Sequence, residues 1–310
     1  MSEVDLSVEL CGVHLRNPLV LAAGILGTTA ALLERVARAG AGAVTAKSCG
    51  PVPRRGHPNP TVVAYPGGLL NAIGLANPGA AAMVEILREA RSRCAPLGAP
   101  VIASVFGETA TAFGDVVRTL EEAEPDLYEV NISCPNVASE FGQPFAADPV
   151  HAAEATAAVR AATRRPVIVK LSANVSDILA VARAVVDAGA DAINAINTLG
   201  PGMVIDIRAR APVLANKVGG VSGPAIRPVA VRCVYELSQA VPVPIIGTGG
   251  VMSGEDVVEM IMAGATAVGV GSVFHYRGID APAAINAELR AFMAEQGFCS
   301  LAEMRGVAHG

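Results

Sequence analysis

The hexapeptide Asn131-Ile132-Ser133-Cys134-Pro135-Asn136 sets a thiol between two carboxamides. It closes an apolar run, Leu127 to Ile132, that reads as a buried strand stopped by Pro135. A cysteine in that place can accept a proton once it is a thiolate, and Asn131 and Asn136 can hold a flat polar ligand by its amide-like edges. Taken alone, a cysteine after a strand is more often a packed thiol, because free cysteine is among the most buried residue types.

Two lysines occupy comparable places, Lys47 in Thr45-Ala46-Lys47-Ser48 and Lys170 in Val169-Lys170-Leu171. A cation buried at the end of a β-rich run calls for an anionic partner, and an anionic cofactor and substrate would satisfy both. Three glycine-rich turns follow: Gly219-Gly220-Val221-Ser222-Gly223, Gly247-Thr248-Gly249-Gly250 and Gly269-Val270-Gly271-Ser272. Each precedes a predicted helix, where backbone N–H groups can receive a phosphate.

These residues need elements to position them. Short β-branched runs alternate with Ala-rich helical stretches along the chain, the pattern of parallel strands joined by crossover helices. Strands are predicted at Pro18-Ala23, Ala43-Lys47, Pro100-Val105, Leu127-Ile132, Val167-Leu171, Ala192-Ile196, Pro244-Gly247 and Ala267-Gly271. Helices are predicted near Ala30-Ala39, Gly79-Cys94, Thr109-Glu122, Pro149-Thr163, Ser176-Ala188, Pro224-Ala240, Gly254-Ala263 and Ala281-Glu295. Ser253-Gly254-Glu255-Asp256 reads as a capping box, and Ser176-Asp177 as a similar start.

Eight such units predict a single closed (β/α)8 barrel, the TIM-barrel fold, spanning 1–310, with its active site at the carboxyl ends of the strands. An open doubly wound sheet is the rival, but no GxGxxG follows the first strand. In a barrel, Lys47, Asn131 to Cys134, Lys170, Asn197-Thr198, Gly249-Gly250 and Gly271-Ser272 all converge on one mouth. Two excursions, near 50–78 and 199–223, exceed what a connection needs and read as loops covering a site.

Composition excludes several classes. With a net charge of -5 and no run of Lys or Arg that resembles a polybasic anchor, the chain offers no basic face to nucleic acid or to a membrane surface. Its 52% apolar residues and lack of Trp suit close helix-on-sheet packing in a soluble protein. The longest uncharged stretches, such as Gly56 to Val84, are broken by prolines, so none reads as a spanning helix. The start carries Glu3, Asp5 and Glu9 without a basic stretch, so a cytoplasmic protein is expected. Among the six cysteines no CxxC occurs, which argues against an iron–sulfur cluster or a local zinc site on this chain; no metal is expected.

From Asn17-Pro18 to Phe274 the chain resembles the class 1 dihydroorotate dehydrogenases, flavoenzymes of pyrimidine synthesis. The hexapeptide resembles their active-site segment. Asn71-Ala72-Ile73-Gly74-Leu75-Ala76-Asn77-Pro78-Gly79 resembles their substrate loop, and Val243-Pro244-Ile245-Ile246-Gly247-Thr248-Gly249-Gly250-Val251 their phosphate strand. Asn197-Thr198-Leu199, Leu214-Ala215-Asn216 and Gly219-Gly220-Val221-Ser222-Gly223-Pro224-Ala225 look like the type B branch.

The resemblance implies FMN as cofactor and Cys134 as the base that takes the C5 proton of dihydroorotate while hydride leaves C6. Lys47, Asn71, Ile73, Gly74, Leu75, Asn131, Asn136, Asn197 and Thr198 would line the orotate site. Lys170 would stand beside the flavin's pyrimidine edge, and Gly223, Gly249, Gly250, Gly271 and Ser272 around its phosphate. Ala23, Lys47, Ser48, Ser104, Asn131 and Ile196 would also touch the flavin, although Ala23 stands where the family often has Ser and Ser104 where it often has Asn. Type B further implies a homodimer core and a partner subunit carrying FAD and an iron–sulfur cluster, which passes electrons to NAD. The membrane-bound class is disfavoured, since it uses Ser where this chain has Cys134. Rival readings are a fumarate-linked type A enzyme, a dihydropyrimidine dehydrogenase-like flavoprotein, a flavin-free aldolase using Lys170 as a Schiff base, and a binding module without catalysis.

Overall fold

A computed structural model describes residues 4–132 and 145–310. Eight parallel strands close a barrel in chain order: β1 (Leu19–Leu21), β2 (Ala43–Thr45), β3 (Val101–Val105), β4 (Leu127–Asn131), β5 (Val167–Leu171), β6 (Ala192–Ala195), β7 (Ile245–Thr248) and β8 (Ala267–Val270). All eight predicted strands are present, each within two residues of its expected ends. Helices Ala30–Arg38, Ala80–Cys94, Ala110–Leu120, Pro149–Ala162, Ile178–Asp187, Arg227–Ala240 and Gly254–Met262 make the crossovers, and Ala281–Gln296 follows β8.

Local chemistry starts these helices where a side-chain oxygen can take an unpaired N–H. Thr109 accepts from Ala112 N at 3.1 Å, and Asp177 from Ala180 N at 2.9 Å. Asp177 thus moves the helix predicted at Ser176 to Ile178. The capping box at Ser253 forms, with Asp256 N on Ser253 Oγ at 3.3 Å and Ser253 N on Asp256 Oδ2 at 3.1 Å.

The barrel interior is layered by the two-residue period of its strands. Its floor is apolar: Val20, Ala43, Ile102, Leu127, Ile168, Ala192, Ile246 and Ala267 pack with Leu10 and Leu15. Those two leucines belong to a hairpin, Val8–Leu10 with Val13–Leu15, that stops the amino end of the barrel and that the periodicity reading did not anticipate. Two residues further along each strand the layer changes character, to Ala22, Thr45, Ser104, Glu129, Lys170, Asn194, Thr248 and Gly269. The six polar members of this layer are buried. The floor supplies the hydrophobic driving force, while the polar layer above it needs mutual hydrogen bonds to be tolerated.

The two excursions, read from the sequence as covering loops, pair with each other as one antiparallel sheet over the mouth. Its order is Leu199–Gly202, Gly219–Ser222, Gly68–Asn71, Val62–Tyr65. Alternation again divides the side chains: Leu70 packs with Ala72 and Leu214 in a small apolar cluster, while Leu69 and Asn71 face the barrel mouth. No helix among the described residues is long and apolar enough to cross a membrane.

Candidate active site

A cavity of about 260 Å³ lies between the polar layer and this sheet. Of the residues singled out from sequence, Ala23, Lys47, Ser48, Asn71, Ile73, Gly74, Leu75, Asn131, Lys170, Ile196, Asn197, Thr198, Gly223, Gly249, Gly250, Gly271 and Ser272 all line it. Cys134 and Asn136 lie outside the described residues. Ser104 does not line the cavity: its hydroxyl is buried behind Ser48, 2.8 Å from Ser48 Oγ and 2.9 Å from Glu129 Oε1.

One wall is built by loop segments held in fixed turns. In Ile73-Gly74-Leu75 both Gly74 and Leu75 have left-handed backbone, at φ 71 and 57. That conformation is costly for leucine. It is held from both sides, because Arg54 Nε donates to Gly74 O at 2.9 Å and Asn77 Nδ2 to Leu75 O at 2.8 Å. At the end of β6, Thr198 O receives Asn174 Nδ2 at 2.9 Å, and Gly200 N donates to Asn174 Oδ1 at 2.9 Å. Asn174 braces the site without lining it, and no sequence pattern pointed to it.

The opposite wall is glycine. Gly250 has φ +74, and a Cβ there would lie 2.8 Å from Gly223 O and 2.9 Å from Arg227 N. Two strand-end turns therefore meet backbone to backbone, leaving main-chain groups rather than side chains at the surface. Behind them Arg227 pairs with Asp256 and with Glu259, the latter at 3.1 Å, locking the helix after Gly223 to the helix after Gly250.

The polar side chains are linked. Asn131 Nδ2 donates to Ser48 Oγ at 3.2 Å, and Asn197 Nδ2 to Asn131 Oδ1 at 3.4 Å. Across β4 and β5, Asn131 and Lys170 are register partners. Lys170 is only 6% exposed, and Lys47 is half-buried. A Cβ added to Gly24 would lie 3.6 Å from Lys47 Nζ, which shows how closely the β1 and β2 ends approach.

Cys49, two residues beyond Lys47, is the described thiol nearest to these residues in sequence. Burial pushes it up to about 12, so it stays protonated at neutral pH and is no base. No group of three metal-ligating residues occurs among the described residues. The arrangement offers two lysines, three carboxamides and a glycine wall to one enclosed ligand: a flat, polar, anionic molecule with a phosphate fits it.

Sequence reasoning missed Val62, Leu69, Ser222, Ile226 and Thr248, which also line the cavity. Thr248 was legible as the end of β7. Val62 and Leu69 were not, since only the pairing of the two excursions brings them over the mouth.

The family model described as dihydroorotate dehydrogenase matches residues 5–293. The chain is similar to the dihydroorotate dehydrogenase B (NAD(+)), catalytic subunit, of Methanocaldococcus jannaschii, 44% identical over 309 residues and 100% of both chains. To the protein of that name from Methanosarcina mazei it is 47% identical, over 98% of this chain and 95% of the relative. To that from Geotalea daltonii it is 43% identical, over 99% of each.

Proposed function

The chain belongs to the dihydroorotate dehydrogenase family, and from that premise we propose that its one barrel domain, 1–310, binds FMN and oxidises (S)-dihydroorotate to orotate in this cavity. The observation that carries the reading is the convergence of Lys47, Lys170, Asn71, Asn131 and Asn197 with a glycine wall around a single cavity. That set matches a flat amide ring bearing one carboxylate, together with a flavin and its phosphate.

Bound FMN would supply the hydride acceptor for C6 of dihydroorotate. The residues of the chain divide the remaining work. Cys134, as thiolate, takes the C5 proton, so the C5–H and C6–H bonds break and the C5=C6 double bond forms. Lys47 pairs with the substrate carboxylate, while Asn71, Asn131, Asn136 and Asn197 hold the ring by its amide edges. Ile73, Gly74, Leu75 and Thr198 close around it and exclude water.

Lys170 offers its cation to the pyrimidine edge of the flavin, where it favours negative charge. Gly223, Gly249, Gly250, Gly271 and Ser272 receive the phosphate through main-chain donors. Ala23, Ser48 and Ile196 complete the flavin's surroundings. Ser104 acts through Ser48 rather than by direct contact.

A second subunit, to which we assign FAD and an iron–sulfur cluster, would take the electrons and pass them to NAD. The chain itself has no CxxC and no GxGxxG after its first strand to do so. A homodimer of this chain forms the core of the assembly, and no membrane or nucleic acid takes part. The protein works in the cytoplasm.

Purified protein should be yellow, release FMN on acid treatment, and lose its flavin absorbance when dihydroorotate is added without air. A colourless protein would instead support the aldolase or binding readings. Alone, the chain should reduce dyes with dihydroorotate but NAD poorly, and adding an FAD and iron–sulfur subunit should restore NAD reduction. Efficient turnover with fumarate would move it to type A. Light scattering tests the dimer.

A further inference from the structure

Glu129 is a carboxylate only 1% exposed in the middle of the barrel, and none of the roles above uses it. Its Oε1 accepts the Ser104 hydroxyl at 2.9 Å and its Oε2 accepts Asn194 Nδ2 at 2.7 Å. A serine hydroxyl has one proton. Because Ser104 donates its proton to Glu129, the 2.8 Å contact between Ser48 Oγ and Ser104 Oγ runs from Ser48 to Ser104. Ser48 is then the acceptor for Asn131 Nδ2 at 3.2 Å, and Asn131 Oδ1 for Asn197 Nδ2 at 3.4 Å. On the far side Thr248 Oγ1 donates to Asn194 Oδ1 at 2.7 Å, and Asn194 in turn to Glu129. Every donor in both arms points toward the one carboxylate.

We propose that Glu129 is a positioning residue: through Ser104 and Ser48 it sets the donor order of the Asn131 and Asn197 carboxamides, and so the orientation in which they meet the substrate ring. Glu129 accepts in both of its hydrogen bonds, from Ser104 and from Asn194, and donates in neither. It therefore permits one direction of hydrogen bonding along the arm. A neutral amide at 129 could donate to Ser104, which would then donate to Ser48, which would donate to Asn131 and require its Oδ1. The carboxamide would have to turn over, and a pocket with donors and acceptors exchanged loses its match to the same ligand. This inference rests on the dihydroorotate reading of the cavity, which assigns Asn131 and Asn197 to the substrate.

The test is Glu129→Gln in the FMN-loaded protein, read by orotate titration of the flavin spectrum, FMN content and thermal midpoint. The expected result is an orotate dissociation constant raised by about tenfold or more, with FMN content and midpoint close to the parent's. Ser104→Ala keeps the carboxylate but cuts the same arm, so it should share the loss, and the double variant should lose little more than either single one. Unchanged orotate affinity in Glu129→Gln overturns the proposal. So does a fall in midpoint and FMN content with normal affinity in the protein that stays loaded, the signature of a structural role. Should Glu129→Gln not fold, Ser104→Ala decides alone, weakened binding supporting the relay and normal binding refuting it. A parent protein that fails to bind orotate would sink the dihydroorotate reading and the relay together, whereas a binding parent with unaffected variants sinks only the relay.

Discussion

Asn71 and Gly220, 149 residues apart, are register partners in the sheet over the mouth, and Asn71 Nδ2 donates to Gly220 O at 3.3 Å. The same glycine packs on the end of β6, where a Cβ would come within 2.1 Å of Thr198 Oγ1. Gly220→Ala must therefore push Thr198 out of the cavity wall or lift the sheet. Orotate affinity should fall by about tenfold, the equivalent of the ~1–3 kcal/mol that overpacking costs, with flavin content retained. Orotate titration checks this, and an unchanged dissociation constant would show that the cover does not hold the ligand.

Cys134→Ser keeps the side-chain shape but installs a far weaker base at neutral pH. Flavin reduction by dihydroorotate should slow by about 10²-fold or more, the range for general base catalysis. In the parent the rate should rise with pH as the thiolate forms, around a reference pKa of about 8.5. Stopped-flow absorbance against pH measures both, and an unslowed variant would remove Cys134 from the mechanism.

The two lysines should separate by ligand. Lys47→Ala removes the substrate's cation and should raise the orotate dissociation constant by about tenfold or more, with FMN retained. Lys170→Ala should lower flavin content or flavin reducibility instead, since Lys170 lies in the inner polar layer. Parallel orotate and flavin titrations of the two variants test the division, and full orotate affinity in Lys47→Ala would end its substrate role.

Burial raises the Cys49 thiol from its ordinary 9.0 to about 12. The unfolded chain gives up this proton near the ordinary value while the native protein keeps it. The stabilisation is thus complete below about pH 9 and is lost as pH rises toward the folded value. Denaturant midpoints between pH 8 and 11, outside any effect on activity, should decline less steeply in Cys49→Ala than in the parent. Parallel slopes would contradict the shift.

The barrel floor should be separable from the site. Leu10 is fully buried under the barrel with Leu15, Val20 and Ile102. Leu10→Ala should cost about 2–5 kcal/mol, the lost transfer energy plus the cavity left behind. Turnover of the remaining folded protein should stay near the parent's, because the floor lies at the end of the barrel away from the mouth. A loss of turnover matching the loss of stability would show that floor and site are coupled.

The sequence by itself determined the barrel and the gathering of Lys47, Asn131, Lys170, Asn197 and the glycine turns at one end. That information is local: a two-residue strand period, helix starts that a side-chain oxygen caps, and the rule that parallel strands joined by helices carry their carboxyl ends to one face. Motif resemblance then marked which of those residues could meet a ligand. Only the tertiary structure decided that residues 62–71 and 199–222 pair with each other, because antiparallel register between distant segments depends on side chains meeting across the mouth rather than on either segment's own pattern. It alone also withdrew Ser104 behind Ser48 and joined it to Glu129. A strand's alternation says which side chains point inward, but the partner each one finds, and so the direction of every hydrogen bond, is set by neighbouring strands that fold brings together.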